Sequence, residues 1–255
     1  MRRARVLLLP LLAALGAAAP DTGGIGFTQR LGAQLPEAAI LTGSDGRSTT
    51  LGRLIDGKPT VLILGYFACP ALCGVVRNDA LEALSESGMV LPRDYSLLFL
   101  SIDPAERPRD AAQAKAADIR QYPISGAPAG WHYATADAAT IDRIEQGVGY
   151  ASRYDVQLKQ FLHPAGVVVL TPGAVVSGYL LGVGYQPGAL TQALRQARAG
   201  TIGQRAPSIL LLCFHYDPAT GRYSLAIMKV LRLMGGLTLV LLAGLLLVLH
   251  RRRAA

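Results

Sequence analysis

Val61-Leu62-Ile63-Leu64-Gly65-Tyr66-Phe67-Ala68-Cys69-Pro70-Ala71-Leu72-Cys73 is the stretch whose reading decides the fold. Val61 to Leu64 is apolar without alternation, the pattern of a strand covered on both faces. After Cys73, the residues Val75, Val76, Leu81 and Leu84 fall close to helical spacing and run out near Gly88. A buried strand therefore enters a helix through a C-x3-C loop that uses two of the chain's three cysteines. Across a first helical turn, side chains at i and i+4 can face the same way. A helix N-terminus favours the thiolate. Such a pair can hold a soft ion such as Cu(I), for which two thiolates suffice, and an added imidazole would let it accept Cu(II). It can equally cycle between dithiol and disulfide outside the cytoplasm. A purely stabilising disulfide would close a very short loop and contribute little entropy.

Outward from that stretch, Ala38 to Leu41 and Ser48 to Leu51 flank Ser44-Asp45-Gly46, a hairpin signal. Leu51 to Ile55 reads as one helical turn and Thr60 to Tyr66 as the first buried strand. Ser96 to Ile102 is the next strand, and Ala111 to Ile119 an alanine-rich helix. Thr140 to Val148 places Ile141, Ile144 and Val148 at i, i+3 and i+7. Val167 to Leu170 and Val175 to Leu181 form an antiparallel pair around Thr171-Pro172-Gly173, and Leu190 to Ala199 closes the domain as a helix. Alternating buried strands and helices predict an α/β fold, a mixed sheet with helices on both faces. A cysteine pair at the end of the first central strand is where a thioredoxin-like fold keeps its active site, at a strand's C-terminal end.

The ends of the chain read differently. Residues 1–19 carry Arg2, Arg3 and Arg5, the apolar run Val6 to Gly16, and Ala17-Ala18-Ala19, the layout of a signal peptide. Residues 20–34 read as a flexible Gly- and Thr-rich arm, 35–207 as the main domain, and 208–227 as a juxtamembrane hairpin around Asp217 to Gly221. Residues 228–250 read as a transmembrane helix, since Leu233 to Leu249 holds no charge. Residues 251–255, with Arg251, Arg252 and Arg253, form a basic tail on the cytoplasmic side. This layout predicts a bacterial-type inner-membrane protein with its main domain periplasmic. The formal charge of +8 comes from those ends, because residues 20–227 balance 17 basic against 17 acidic side chains. The high pI therefore reflects topology and gives no ground for nucleic-acid binding.

Four histidines could complete a metal site. His250 is excluded by topology. His132, in Gly130-Trp131-His132-Tyr133, reads as a strand residue with a structural role. His163 precedes Pro164 and the strand from Val167; a loop entering a strand beside the cysteine-bearing one could carry it to the sulfurs. His215 lies with Cys213 in Cys213-Phe214-His215; on a strand these two share a face, and a half-buried strand is the favoured reading.

Four segments in fixed order now resemble the Sco/SenC family of thioredoxin-like copper chaperones. They are Leu64 to Cys73, Leu100-Ser101-Ile102-Asp103-Pro104, Gly130 to Thr135, and Gln160 to Gly166 continuing through Leu170 to Gly173. The similarity spans about residues 35–200. Two features depart from the family: Gly74 stands where Pro usually follows the second cysteine, and the membrane helix follows the domain. The resemblance implies one copper, Cu(I) or Cu(II), held by Cys69, Cys73 and His163, with Asp103 as an accessory residue. It implies a copper-binding assembly factor for the dinuclear copper centre of cytochrome c oxidase, with that enzyme's copper-bearing subunit as partner, beside other copper chaperones or thiol reductases. Such a protein is a metallochaperone rather than an enzyme. The alternative is a membrane-tethered thiol–disulfide oxidoreductase that keeps acceptor cysteines reduced, with Cys69 as nucleophile and Cys73 as resolving thiol.

Overall fold

The computed structural model describes residues 24–68, 72–205, 216–217, 222–223, 233–238, 241–242 and 244. The stretch 1–23, which includes the residues read as a signal peptide, and Cys69, Cys213, His215, His250 and the tail 251–255 lie outside the described residues.

The apolar runs become the strands of one mixed sheet. β4 (Thr60–Gly65) and β5 (Ser96–Ser101) are buried at every position, as runs without alternation require. They pair in parallel, Thr60 opposite Ser96 through Gly65 opposite Ser101. A third parallel strand, β6 (Trp131–Thr135), joins β5 with Leu98 opposite His132. Antiparallel strands flank this centre. On one side lie β10 (Gly166–Leu170) and β11 (Val176–Leu181); on the other lie β2 (Ile40–Gly43) and β3 (Ser48–Thr50), the expected hairpin. The sheet order is β11-β10-β4-β5-β6-β2-β3.

Alternate residues feed two cores. Leu62, Leu64, Leu98, Leu100, Val168 and Leu170 meet α1 (Leu51–Ile55) and the Ile141, Ile144, Val148 stripe of α4 (Ala138–Val148). Val61, Ile63, Leu97, Phe99, Val167 and Val169 meet Val76, Ala80 and Leu84 of α2 (Leu72–Glu86), Ala111 of α3 (Pro108–Gln121), and Leu190 and Leu194 of α5 (Pro187–Arg198). Helix starts follow local chemistry. Asp137 caps α4 by accepting from Thr140 N–H at 2.7 Å, and Pro108 and Pro187 open α3 and α5, where a missing N–H costs nothing.

Three features differ from the sequence reading. β6 is a central strand that the expected element order did not count. Residues read as a mobile arm are packed on the domain: β1 (Gly26–Phe27) pairs with β7 (Tyr150–Ala151), Phe27 and Leu35 are buried, and Gly32 N–H donates to Val176 at 2.9 Å. A short hairpin, β8 (Arg153–Asp155) with β9 (Gln160–Leu162), stands directly before His163.

Towards the C-terminus, β12 (Tyr216–Asp217) pairs antiparallel with β13 (Arg222–Tyr223), and residues 218–221 lie outside the described residues. Among the described residues no helix is long and apolar enough to cross a membrane. Within the span 228–250 the described residues are 233–238, 241–242 and 244, all helical.

Candidate functional site

The site is built at one end of the sheet. β4 and β5 are parallel, so the loop after Gly65 and the turn after Ser101 leave side by side. β10 runs antiparallel to β4, with Val167 opposite Ile63 and Leu170 opposite Thr60. Moving back from Val167 therefore means moving towards the C-terminal end of β4. His163, three residues before β10, arrives where the chain leaves β4 for the cysteines. Ring contacts bear this out: the centroids of Tyr66 and His163 are 6.1 Å apart, edge to face.

Of the three ligands expected, His163 is placed beside the end of β4. Cys73 is the second residue of α2, and Cys69 lies outside the described residues. Among the described residues no three His, Cys, Asp or Glu side chains gather as a metal site, a set that includes neither cysteine's sulfur.

The His163 ring is constrained chemically as well as spatially. Its Nδ1 is 3.0 Å from the Pro164 carbonyl. A carbonyl only accepts, so Nδ1 carries the hydrogen and the lone pair of the neutral ring sits on Nε2. Burial lowers the imidazole pKa, opposed by that hydrogen bond. The neutral, ligating form is thus the favoured one at pH 7. Tyr150 stacks with the ring at 6.1 Å and 23°. Tyr150 O–H donates to the Leu64 carbonyl at 3.1 Å, tying the histidine's neighbour back to β4.

Asp103 and its turn lie at the same end. Asp103 Oδ1 accepts from Ala105 N–H at 2.8 Å, and Asp103 N–H donates to Ser101 Oγ at 3.1 Å. These are bonds of a turn residue. The carboxylate that reaches the cysteine loop is Glu106, which the sequence reading missed. It accepts from Phe67 N–H at 2.9 Å, from Ala68 N–H at 2.8 Å, and from Ser101 Oγ–H at 2.6 Å. The only signal in the chain was an acid three residues beyond Asp103 at a strand's end.

Beneath the loop, Phe67 stacks on Tyr133 at 5.6 Å and packs on Phe99 at 5.1 Å. Arg77 lies 5.9 Å over Phe99, and its Nε is 3.2 Å from Asp118, in ion-pair range but without hydrogen-bond alignment. Tyr133 O–H donates to the same carboxylate, and burial pushes the Asp118 pKa up against both partners. His132 stands apart from the site, beside Lys115 and near Asp56, which precedes β4. Burial, helped by Lys115, lowers its pKa to about 4. The structural role expected for it agrees with that position.

No family model matches the chain, and no curated protein matches it in sequence. Solved structures do match. A protein from Aquifex aeolicus VF5, provisionally described as an electron transfer protein, is 26% identical over 67% of this chain and 95% of its own, with a TM-score of 0.59. Arabidopsis thaliana ScoI with copper bound is 16% identical over 63% of this chain and 96% of its own, with a TM-score of 0.52. BsSco, described as a member of the Sco family of cytochrome c oxidase assembly proteins with a disulfide switch, is 16% identical over 66% of this chain and 96% of its own, at 0.51. The chain has a Sco-like thioredoxin fold. In that fold the strand end occupied here by Tyr66, the start of α2 and the approach to β10 come together at one edge, as the register of β4, β5 and β10 requires. At these identities the Sco proteins establish the architecture of the sheet and its helices. The chemistry of the edge rests on this chain's own residues.

Proposed function

We propose that this chain is a copper-binding assembly factor that holds one copper, Cu(I) or Cu(II), through Cys69, Cys73 and His163 and passes it to the dinuclear copper centre of cytochrome c oxidase. The observation that carries this reading is the approach of His163 to the end of β4, with its ring in contact with Tyr66 and Tyr150 and the Nε2 lone pair selected by the Pro164 carbonyl. The donor set fits: two sulfurs suit Cu(I), and a neutral imidazole adds a borderline ligand that Cu(II) accepts. The copper-bound Arabidopsis neighbour and the residue resemblance support the same metal. Copper here is cargo, and its transfer is ligand exchange with an acceptor's own cysteines. In this reading the acceptor is the oxidase's copper-bearing subunit. The domain faces the periplasm, and the segment 228–250 anchors it to the inner membrane with the basic tail inside.

The cysteine pair supports a second reading, favoured by the disulfide switch described for BsSco. Cys69 thiolate attacks an acceptor disulfide and Cys73 resolves the mixed disulfide. The acceptor gains two electrons and two protons as Cys69 and Cys73 become a disulfide. The two activities are compatible, since metal loading needs reduced ligands.

His163 separates them, because a dithiol exchanger does not need it. Metal analysis of the reduced full chain is expected to give one copper per chain. Cys69→Ser and Cys73→Ser should abolish binding. His163→Ala should weaken it strongly with little change in the dithiol reduction potential. Equal copper binding by His163→Ala would remove the histidine from the site, and a copper-free parent that reduces disulfides would leave the second reading alone.

A further inference from the structure

The β4–β5 ladder ends where Ile102 N–H donates to the Gly65 carbonyl at 2.8 Å. Beyond Gly65, the last two backbone donors before Cys69 are those of Phe67 and Ala68. Neither pairs with a strand. Both are taken by the Glu106 side chain, Phe67 on Oε2 and Ala68 on Oε1. A carboxylate that spans two consecutive amides fixes the peptide plane between them as well as its position, and such charge-assisted bonds are the stronger kind. The carboxylate is itself held by the buried Ser101 hydroxyl at 2.6 Å.

The turn that carries Glu106 closes without this side chain. Glu106 N–H donates to the Asp103 carbonyl at 3.1 Å, Asp103 Oδ1 accepts from Ala105, and α3 begins independently as Arg107 N–H donates to Asp110 at 2.8 Å. The carboxyl head therefore serves the cysteine loop rather than the fold of its own segment. Phe67 is anchored by Phe99 and Tyr133, and Ala68 by Glu106, so both residues before Cys69 are held.

We propose that Glu106 is a positioning residue for the metal-binding cysteines: its carboxylate clamps the Phe67 and Ala68 amides so that Cys69 is presented in ligating geometry before copper arrives. This rests on the copper reading above. Partners outside the ligand shell commonly change metal affinity 10- to 100-fold when removed. Glu106→Ala removes both acceptors. Glu106→Gln retains one carbonyl oxygen and turns an amide donor towards the other N–H. Asp103 acts one step further out, by shaping the turn on which Glu106 stands.

Two measurements on the full chain test the proposal. In the metal-free reduced parent, hydrogen exchange at the Phe67 and Ala68 amides should be slow. In Glu106→Ala it should accelerate at those two positions while β5 and α2 beyond Arg77 stay protected. Copper titration should then give a dissociation constant about 10- to 100-fold higher for Glu106→Ala and an intermediate value for Glu106→Gln, with melting temperatures within about 4 °C of the parent. Copper binding by Glu106→Ala within about threefold of the parent, with an unchanged Cu(II) absorption spectrum, would overturn the proposal. So would rapid exchange of the two amides in the parent, a result that needs no variant to fold. A parent that binds no copper would instead remove the copper reading, and the exchange measurement would still decide whether Glu106 holds the loop.

Discussion

The rings of Tyr150 and His163 lie 6.1 Å apart and 23° from parallel, and the Tyr150 hydroxyl donates to the carbonyl of Leu64. One side chain thus links the candidate ligand to the strand that leads to the cysteines, and Phe27 closes on it edge-on at 5.2 Å. Tyr150→Phe keeps the stack and removes one hydrogen bond, so urea denaturation should show a loss of about 1 kcal/mol with copper affinity near the parent's. Tyr150→Ala removes a fully packed ring and should cost about 3–5 kcal/mol and weaken copper binding too. Copper affinity unchanged by Tyr150→Ala would mean that the stack does not hold His163.

Glu145 gives the fold a pH dependence. It sits in the last turn of α4, 8% exposed, and accepts from Ser152 Oγ–H at 2.8 Å. Burial raises its pKa to about 7, the Ser152 bond opposing and Asp142 adding to the rise. An unfolded carboxyl titrates near 4.5. Its contribution to stability is therefore complete below that value and is lost as the pH climbs through 7. Glu145→Gln cannot ionise. It should match the parent at pH 4 and exceed it by about 1–3 kcal/mol at pH 8, read from urea curves across that range. The acid limb should persist in the variant. His132, lowered to about 4, withdraws stability in the opposite sense as pH falls from the ordinary imidazole range. Parallel curves for parent and Glu145→Gln would refute the assignment.

The sheet's centre was legible because β4, β5 and β10 are buried on both faces, so no polar residue interrupts them. α4 was legible from Ile141, Ile144 and Val148; its cap at Asp137 emerged with the structure. At β6 the local strand state was read at His132, but not its central place in the sheet, because Trp131-His132-Tyr133 mixes an aromatic core with a titratable residue and that place depends on pairing with β5. The packed segment before Leu35 has Phe27 as its single large anchor, and a Gly- and Thr-rich composition conceals that. In the site, spacing left His163 as one candidate among the histidines, and the Sco/SenC resemblance singled it out. The roles of Tyr66 and Tyr150 around it come from neighbours far away in the chain. Glu106 was missed for the same reason: its donors lie 38 and 39 residues upstream and are backbone amides, which leave no mark on composition or period.

Gly149 joins that hidden N-terminal segment to the site. It caps α4 in the left-handed region at φ 64, and its carbonyl accepts from Thr28 N–H at 2.7 Å. A Cβ there would lie 1.8 Å from the Thr28 carbonyl oxygen, a backbone atom that cannot swing aside. Gly149→Ala thus carries the left-handed penalty of about 1–2 kcal/mol and must also push β1 off β7, next to Tyr150. Gly46, at φ 77 with nothing within 4 Å of its Cβ position, isolates the first cost. Gly46→Ala should lose about 1 kcal/mol, and Gly149→Ala clearly more, in paired urea denaturations. Limited proteolysis should cut Gly149→Ala within residues 24–34, where the parent resists. Equal losses in the two variants, with the same cleavage pattern, would show that the N-terminal segment yields at no cost and does not brace the histidine side of the site.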